Sequence, residues 1–143
     1  MEYRLYQRFF NQFEKENINM KAAIIILSDP KAASEEALGR LFNGLAAAYD
    51  FKQSGDEVTI LFQGTGTRWA GVLSNQDHPA YQLYKALEDK IAGVSSGCAD
   101  VFGASEEAVK NGFNLITDNA VPGTSGLPSL RKLTADGYTV FLF

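Results

Sequence analysis

Apolar positions along this chain change their period several times, and the changes mark out its elements. Residues 22–28, AAIIILS, are a continuous, β-branched apolar run of the kind that a strand covered on both faces requires. Ser34 then stands where a helix cap belongs, with Glu35 and Glu36 in the first turn at the positive end of the dipole. Leu38, Leu41, Phe42, Leu45 and Tyr49 recur at helical spacing and give that helix one apolar stripe. SGDE reads as a turn and VTILFQ (58–63) as a second strand. The Gly/Thr loop GTGTRWAG opens a short helix near residues 67–74. Asp77 and Pro79 start another, whose inner face holds Ala80, Leu83, Tyr84, Leu87 and Ile91.

A third strand is expected around Ala92 to Ser95. Ser105-Glu106-Glu107 then starts a short helix that Gly112 can end. FNLIT (113–117) reads as a fourth strand, AVPGTSG as loop, Pro128 to Ala135 as a helix closed by Asp136-Gly137, and YTVFLF as the last strand. Five strands separated by helices imply a parallel sheet with helices on both faces. The expected fold is thus a three-layer α/β/α domain over residues 20–143, flavodoxin-like in general architecture. Residues 1–19 form a separate N-terminal extension. There Tyr6, Phe9, Phe10 and Phe13 fall at helical spacing and give an amphipathic helix with an aromatic stripe. Such a helix packs on its own domain, on a neighbouring subunit or on a membrane surface, and the first two fit it best.

Composition narrows the function classes. The chain has 143 residues, 45% hydrophobic and 21% charged, which suits one soluble domain with a proper core. Its formal net charge is −4, and its 13 Lys and Arg are scattered rather than clustered, which argues against a nucleic-acid partner. No apolar run reaches the roughly 18 residues needed to cross a bilayer, and Arg4, Gln7, Arg8 and Gln12 interrupt any signal-peptide centre. The 1 cysteine cannot form an internal disulfide, so a reducing, cytoplasmic setting is expected.

In open parallel sheets, ligands and chemistry gather at the carboxyl ends of the strands. That rule selects Ser28 and Asp29 after the first strand, and Gln63, Thr65 and Trp69 after the second. After the third it selects Ser95, Ser96, Gly97 and Cys98, and after the fourth Thr117 to Asn119. Cys98 has two readings. At the start of a helical turn its thiolate is favoured; yet a lone cysteine often packs as a small apolar residue, and the nearby Asp100 would oppose ionisation. The loop QGTGTRWAG follows a strand and opens a helix, a setting that can hold a phosphate. It matches neither GxxxxGK[ST] nor GxGxxG, so an ordinary turn is favoured over nucleotide or flavin binding with Trp69 stacked on a ring. His78 has no second His or Cys at ligand spacing, so no metal site is expected; it reads as a surface residue, with acid/base work the rarer alternative. No nucleophile elbow supports a Ser-His-Asp hydrolase. No motif calls for a cofactor.

From about Met20 to Phe143 the chain resembles the DsrE-like family, small α/β proteins related to the sulfur-relay and sulfur-oxidation proteins DsrE and DsrF and to the YchN group. The likeness rests on KAAIIILSDP, EEALGRLFNGLAAAY, EVTILFQGTGTRW, IAGVSSGCADVFGAS and SLRKLTADGYTVFLF, in that order. Many relatives carry a pattern like C-x-x-C-x-x-x-x-G after the third strand, with a basic residue before the glycine. Aligned on Gly103, this chain has S-S-G-C-A-D-V-F-G: Ser95 at the first cysteine position, Cys98 at the second and Phe102 at the basic one. The first position corresponds to the persulfide-carrying cysteine of the relay branch. A serine hydroxyl cannot form a persulfide, so sulfur transfer to a relay partner would rest on Cys98. The resemblance further implies a five-stranded parallel sheet and homo-oligomers, often trimers or hexamers, to which the aromatic stripe would add a contact. Against sulfur chemistry stands a second expectation: a non-catalytic module that keeps the fold, binds a small ligand or a protein tail in the strand-end cleft, and uses Cys98 for packing.

Overall fold

The structure, a computed structural model, describes residues 2–15, 19–32 and 34–143, with residues 9–15 described by their backbone alone. An N-terminal helix, Glu2–Lys15 (α1), precedes the domain. Tyr6 is exposed on it, and the side chains of Phe9, Phe10 and Phe13 lie outside the described residues.

Five strands follow: Lys21–Ile26 (β1), Glu57–Phe62 (β2), Ile91–Ser95 (β3), Leu115–Ile116 (β4) and Thr139–Leu142 (β5). They form one sheet in the order β4-β3-β2-β1-β5, every pair parallel. The α/β architecture is the expected one, but its strand order is not the flavodoxin 2-1-3-4-5. Between the strands run Glu35–Gln53 (α2), the 3₁₀ helix Gly64–Gly71, Tyr81–Leu87 (α3), Ser96–Val101 (α4), Ser105–Lys110 (α5) and Leu130–Ala135 (α6).

Local chemistry sets most of these boundaries. Ser34 caps α2 as its sequence implies, its hydroxyl accepting from the Ala37 N–H at 3.3 Å. The helix after β2 is tighter and begins earlier than the apolar pattern alone implies, because Gly66 lets the chain turn directly against the backbone of Ile26. Ile91 does not close α3. It opens β3 opposite Ile60, so its apolar side chain answers the strand period rather than the helical one. The fourth strand shrinks to Leu115–Ile116, an edge ladder that reaches only Val94 and Ser95.

The order of strands determines the faces. From β1 to β4 the chain steps in one direction, then returns to the far side of β1 for β5. Right-handed crossovers therefore put α2 to α5 on one face and α6 on the other. On the first face Ala22, Ile24, Ile26, Val58, Ile60 and Phe62 pack with Leu41, Leu45, Leu73 and Leu87 in one buried cluster. Each large aliphatic there contributes about 1.5–3 kcal/mol by leaving water. Ala23, Ile25 and Leu61 point to the other face, on which α6 packs against β5 and has no buried residue of its own.

Candidate functional site

The carboxyl ends of β1, β2 and β3 lie side by side, so the loops that follow them form one edge. After β1, the Ser28 carbonyl accepts the Trp69 indole N–H at 2.7 Å, and the Ser28 hydroxyl is buried without a partner among the described residues. Asp29 takes the Lys31 N–H at 2.9 Å and forms an ion pair with Arg68 at 2.8 Å. After β2, Gln63 is buried, its N–H donating to the Ile26 carbonyl at 3.0 Å and its own carbonyl accepting from Gly66 at 2.9 Å. Thr65 donates its hydroxyl to the Leu27 carbonyl at 3.2 Å. Ser28, Asp29, Thr65 and Trp69 thus stitch the 3₁₀ helix onto the end of β1. Trp69 is 2% exposed with its N–H engaged, so little of the ring is open for a nucleotide or flavin to stack on. The tryptophan packs in the hydrophobic core.

After β3 the chain turns straight into α4. Ser95 is fully buried, and its hydroxyl accepts the Cys98 N–H at 3.3 Å, capping the helix. Ser96, also buried, shares a 2.7 Å hydrogen bond with Ser125. The Gly97 N–H donates to the Gly126 carbonyl at 2.7 Å. The segment 119–127 is closed at its base by paired backbone hydrogen bonds between Asn119 and Leu127 at 2.7 and 2.9 Å, and it straps the start of α4. Gly97 is needed at this crossing: a side chain there would meet the Gly126 carbonyl at 3.2 Å and Leu127 Cδ1 at 2.9 Å.

Two sides of α4 have different characters. Gly97, Asp100 and Val101 line a cavity of about 280 Å³ against Thr124 and Ser125. Asp100 accepts the Ser125 hydroxyl at 2.6 Å and the Ser105 hydroxyl at 2.8 Å. Those two bonds, Ser125 foremost, hold its carboxyl below the usual carboxylate range. Since Ser125 has a single proton and gives it to Asp100, Ser96 must donate to Ser125. Cys98, half-buried and free, is not part of that lining. It shares its helix side with Phe102, one turn on. Over the Phe102 ring, 5.5 Å from its centroid, lies the guanidinium of Arg68, whose Nε–H also donates to the Phe102 carbonyl at 3.2 Å. The nearest charged group on this side of α4 is therefore the Arg68 guanidinium, itself paired with Asp29. Sequence proximity pointed instead to Asp100, which is turned toward its serines.

The structure thus brings the expected residues together as two groups, Ser28, Asp29, Gln63, Thr65 and Trp69 in one and Ser95 to Cys98 in the other, and Arg68 joins them. Arg68, Ser125 and Ser105 were not foreseen. Arg68 lies inside GTGTRW, but nothing in the spacing pairs it with a residue 39 positions away. Among the described residues no group of three or more His, Cys, Asp or Glu is placed to hold a metal ion, and no helix is long and apolar enough to cross a membrane.

An uncharacterized protein of Methanocaldococcus jannaschii, MJ0733, is 30% identical over 100 residues, covering 70% of this chain and 77% of that protein. No solved structure matches the chain. The model of the DsrE/DsrF-like family matches residues 20–143, which takes in the whole sheet, α4 and Cys98. By that match, and by an all-parallel five-stranded sheet in keeping with it, the chain belongs to the DsrE/DsrF-like family.

Proposed function

We propose that this protein is a sulfur carrier in which Cys98 accepts sulfane sulfur and hands it to an acceptor thiol on a partner protein. Family membership directs the reading toward sulfur metabolism. The observation that carries it is the position of the one cysteine, half-buried in the first turn of α4 at the carboxyl edge of the sheet, beside the Phe102–Arg68 contact. The chemistry is a pair of exchanges. The Cys98 thiolate attacks the terminal sulfur of a donor persulfide, R–S–SH. A new S–S bond forms, the donor's S–S bond breaks, and R–S⁻ leaves with the electron pair, giving Cys98–S–SH. An acceptor thiolate then attacks that terminal sulfur and releases the Cys98 thiolate. No external oxidant is required. The setting is a reducing cytoplasm, and the working form is a homo-oligomer, a trimer or hexamer.

The test is intact mass after brief exposure of the native protein to polysulfide, with the alkylation rate of Cys98 measured in parallel. Gain of sulfur that Cys98→Ser abolishes, and its discharge onto a small thiol, are expected. Sulfur loading that survives Cys98→Ser sinks the proposal, as does a thiol that reacts only after unfolding.

One observation favours a second reading, a binding module without relay chemistry. The polar groups around Cys98 are already engaged: the Ser95 hydroxyl accepts the cap bond of α4, Ser96 bonds Ser125 and the Gly97 N–H is taken by Gly126. On that reading the first cysteine position has become a purely structural serine. The same experiment decides between the two.

A further inference from the structure

On the opposite side of the Asp29–Arg68 pair from α4 lies a larger cavity, of about 510 Å³, that the sulfur chemistry does not use. It is formed where the loop after β1 and the start of α2 face the 3₁₀ helix and the turn before α3. Pro30, Leu38, Val72 and Trp69 supply an apolar wall, with Glu35 and His78 as its ionisable groups. Its size falls within the usual range for small-molecule sites, and its mostly apolar lining with few polar groups is the usual pattern.

The charges of this cavity are one-sided. Glu35 belongs to no ion pair among the described residues, whereas its neighbour Glu36 is bound to Arg40 at 2.6 Å. Arg68, next to the cavity in sequence, is turned away to Asp29 and Phe102. His78 sets its ring edge-on to Trp69, with centroids 5.9 Å apart. Its Nδ1 accepts the Ala80 N–H at 3.1 Å, so the neutral ring carries its proton on Nε2. Burial pushes the imidazole below its ordinary value of 6.5, which keeps it uncharged at neutral pH. An apolar wall, an aromatic ring, an uncharged imidazole and one carboxylate outside any ion pair among the described residues complement a cation with a hydrocarbon body.

We propose that this cavity binds a small, largely apolar primary ammonium compound, with its hydrocarbon part against Leu38 and Val72 and its charge beside Glu35. The site is independent of Cys98.

The chain contains 1 histidine and 1 tryptophan, and both line this cavity, so binding has two built-in reporters. The experiment is an NMR titration of the full chain with 2-phenylethylamine, following the His78 ring protons and the Trp69 indole N–H. 2-Phenylethanol and 3-phenylpropionate serve as neutral and anionic counterparts of similar size. The expected result is saturable movement of both reporters with the amine, weaker binding of the alcohol and none of the carboxylate. Glu35→Gln should weaken the amine by roughly threefold to fivefold, the worth of an accessible ion pair, and leave the alcohol unchanged. Glu36→Gln, and Cys98→Ser at the sulfur site, should change neither. The proposal is overturned if the amine moves neither reporter saturably, if the carboxylate binds as tightly as the amine, or if Glu35→Gln leaves the amine's affinity intact.

Discussion

Gly66 shows how one residue can be dictated by a neighbouring strand rather than by its own turn. A side chain there would run into the carbonyl of Ile26 and come within 3.2 Å of the Leu27 Cα, and neither backbone atom can swing aside. Gly66→Ala should therefore lower stability by about 1–3 kcal/mol, read as an earlier urea midpoint at unchanged slope. Gly39, inside α2 with nothing within 4 Å of its would-be Cβ, is the opposite case. There alanine only removes backbone freedom from the unfolded chain, so Gly39→Ala should add about 0.5–1 kcal/mol. If both substitutions move the midpoint in the same direction, the packing argument at Gly66 is wrong. Ser95 tests the site's own scaffolding. Its buried hydroxyl is the only side-chain cap of α4, so Ser95→Ala should cost about 1 kcal/mol and raise amide exchange at Cys98, whose N–H loses its acceptor. Unchanged exchange at Cys98 would mean that the cap does not hold the turn.

At the scale of elements, what the sequence discloses is what is local. Period and caps were enough for β1, α2, β2 and the parallel architecture, because AAIIILS, Ser34 and VTILFQ each specify their structure within a few positions. The strap over α4 is different. AVPGTSG carries turn chemistry that says loop and no more, while the bond that gives the loop its place, Ser125 to Asp100, spans 25 positions. The Asp29–Arg68 pair that joins the two halves of the edge was hidden for the same reason, as was the face of α4 on which Cys98 falls. Asp100 makes the strap testable. Its carboxyl is held below the ordinary 3.8 by the hydroxyls of Ser125 and Ser105, so the folded state binds this proton less readily than the unfolded one. The stabilisation is complete above the ordinary value and is lost as the pH falls through the depressed one. The stability gap between the wild type and Asp100→Asn should therefore narrow as the pH is lowered from about 6 to about 3, measured by urea unfolding at each pH. Parallel curves would mean that Asp100 does not carry the latch.

The helices cover the two faces of the sheet unequally, and an expectation about assembly follows from that. One face of the sheet is covered by α2 to α5 over a continuous core, whereas on the other α6 is six residues long and, among the described residues, without a buried side chain. On that second face Ile25 is fully buried, yet its register neighbour on the edge strand, Leu142, is 61% exposed. An apolar stripe that continues from the core onto an uncovered edge is where a second copy of a family known for homo-oligomers would complete the burial. The expectation is a homo-oligomer in native mass spectrometry and light scattering at micromolar concentration. Leu142→Glu should move it toward monomers, because a charge at the contact must be desolvated on association. Val109→Glu supplies the control: Val109 is 60% exposed, but it stands on α5 across the sheet. Its glutamate should leave the assembly intact. Equal dissociation by both variants would trace the effect to added negative charge on a chain already at −4. A wild type that is monomeric throughout would leave the exposed stripe without the partner assigned to it here.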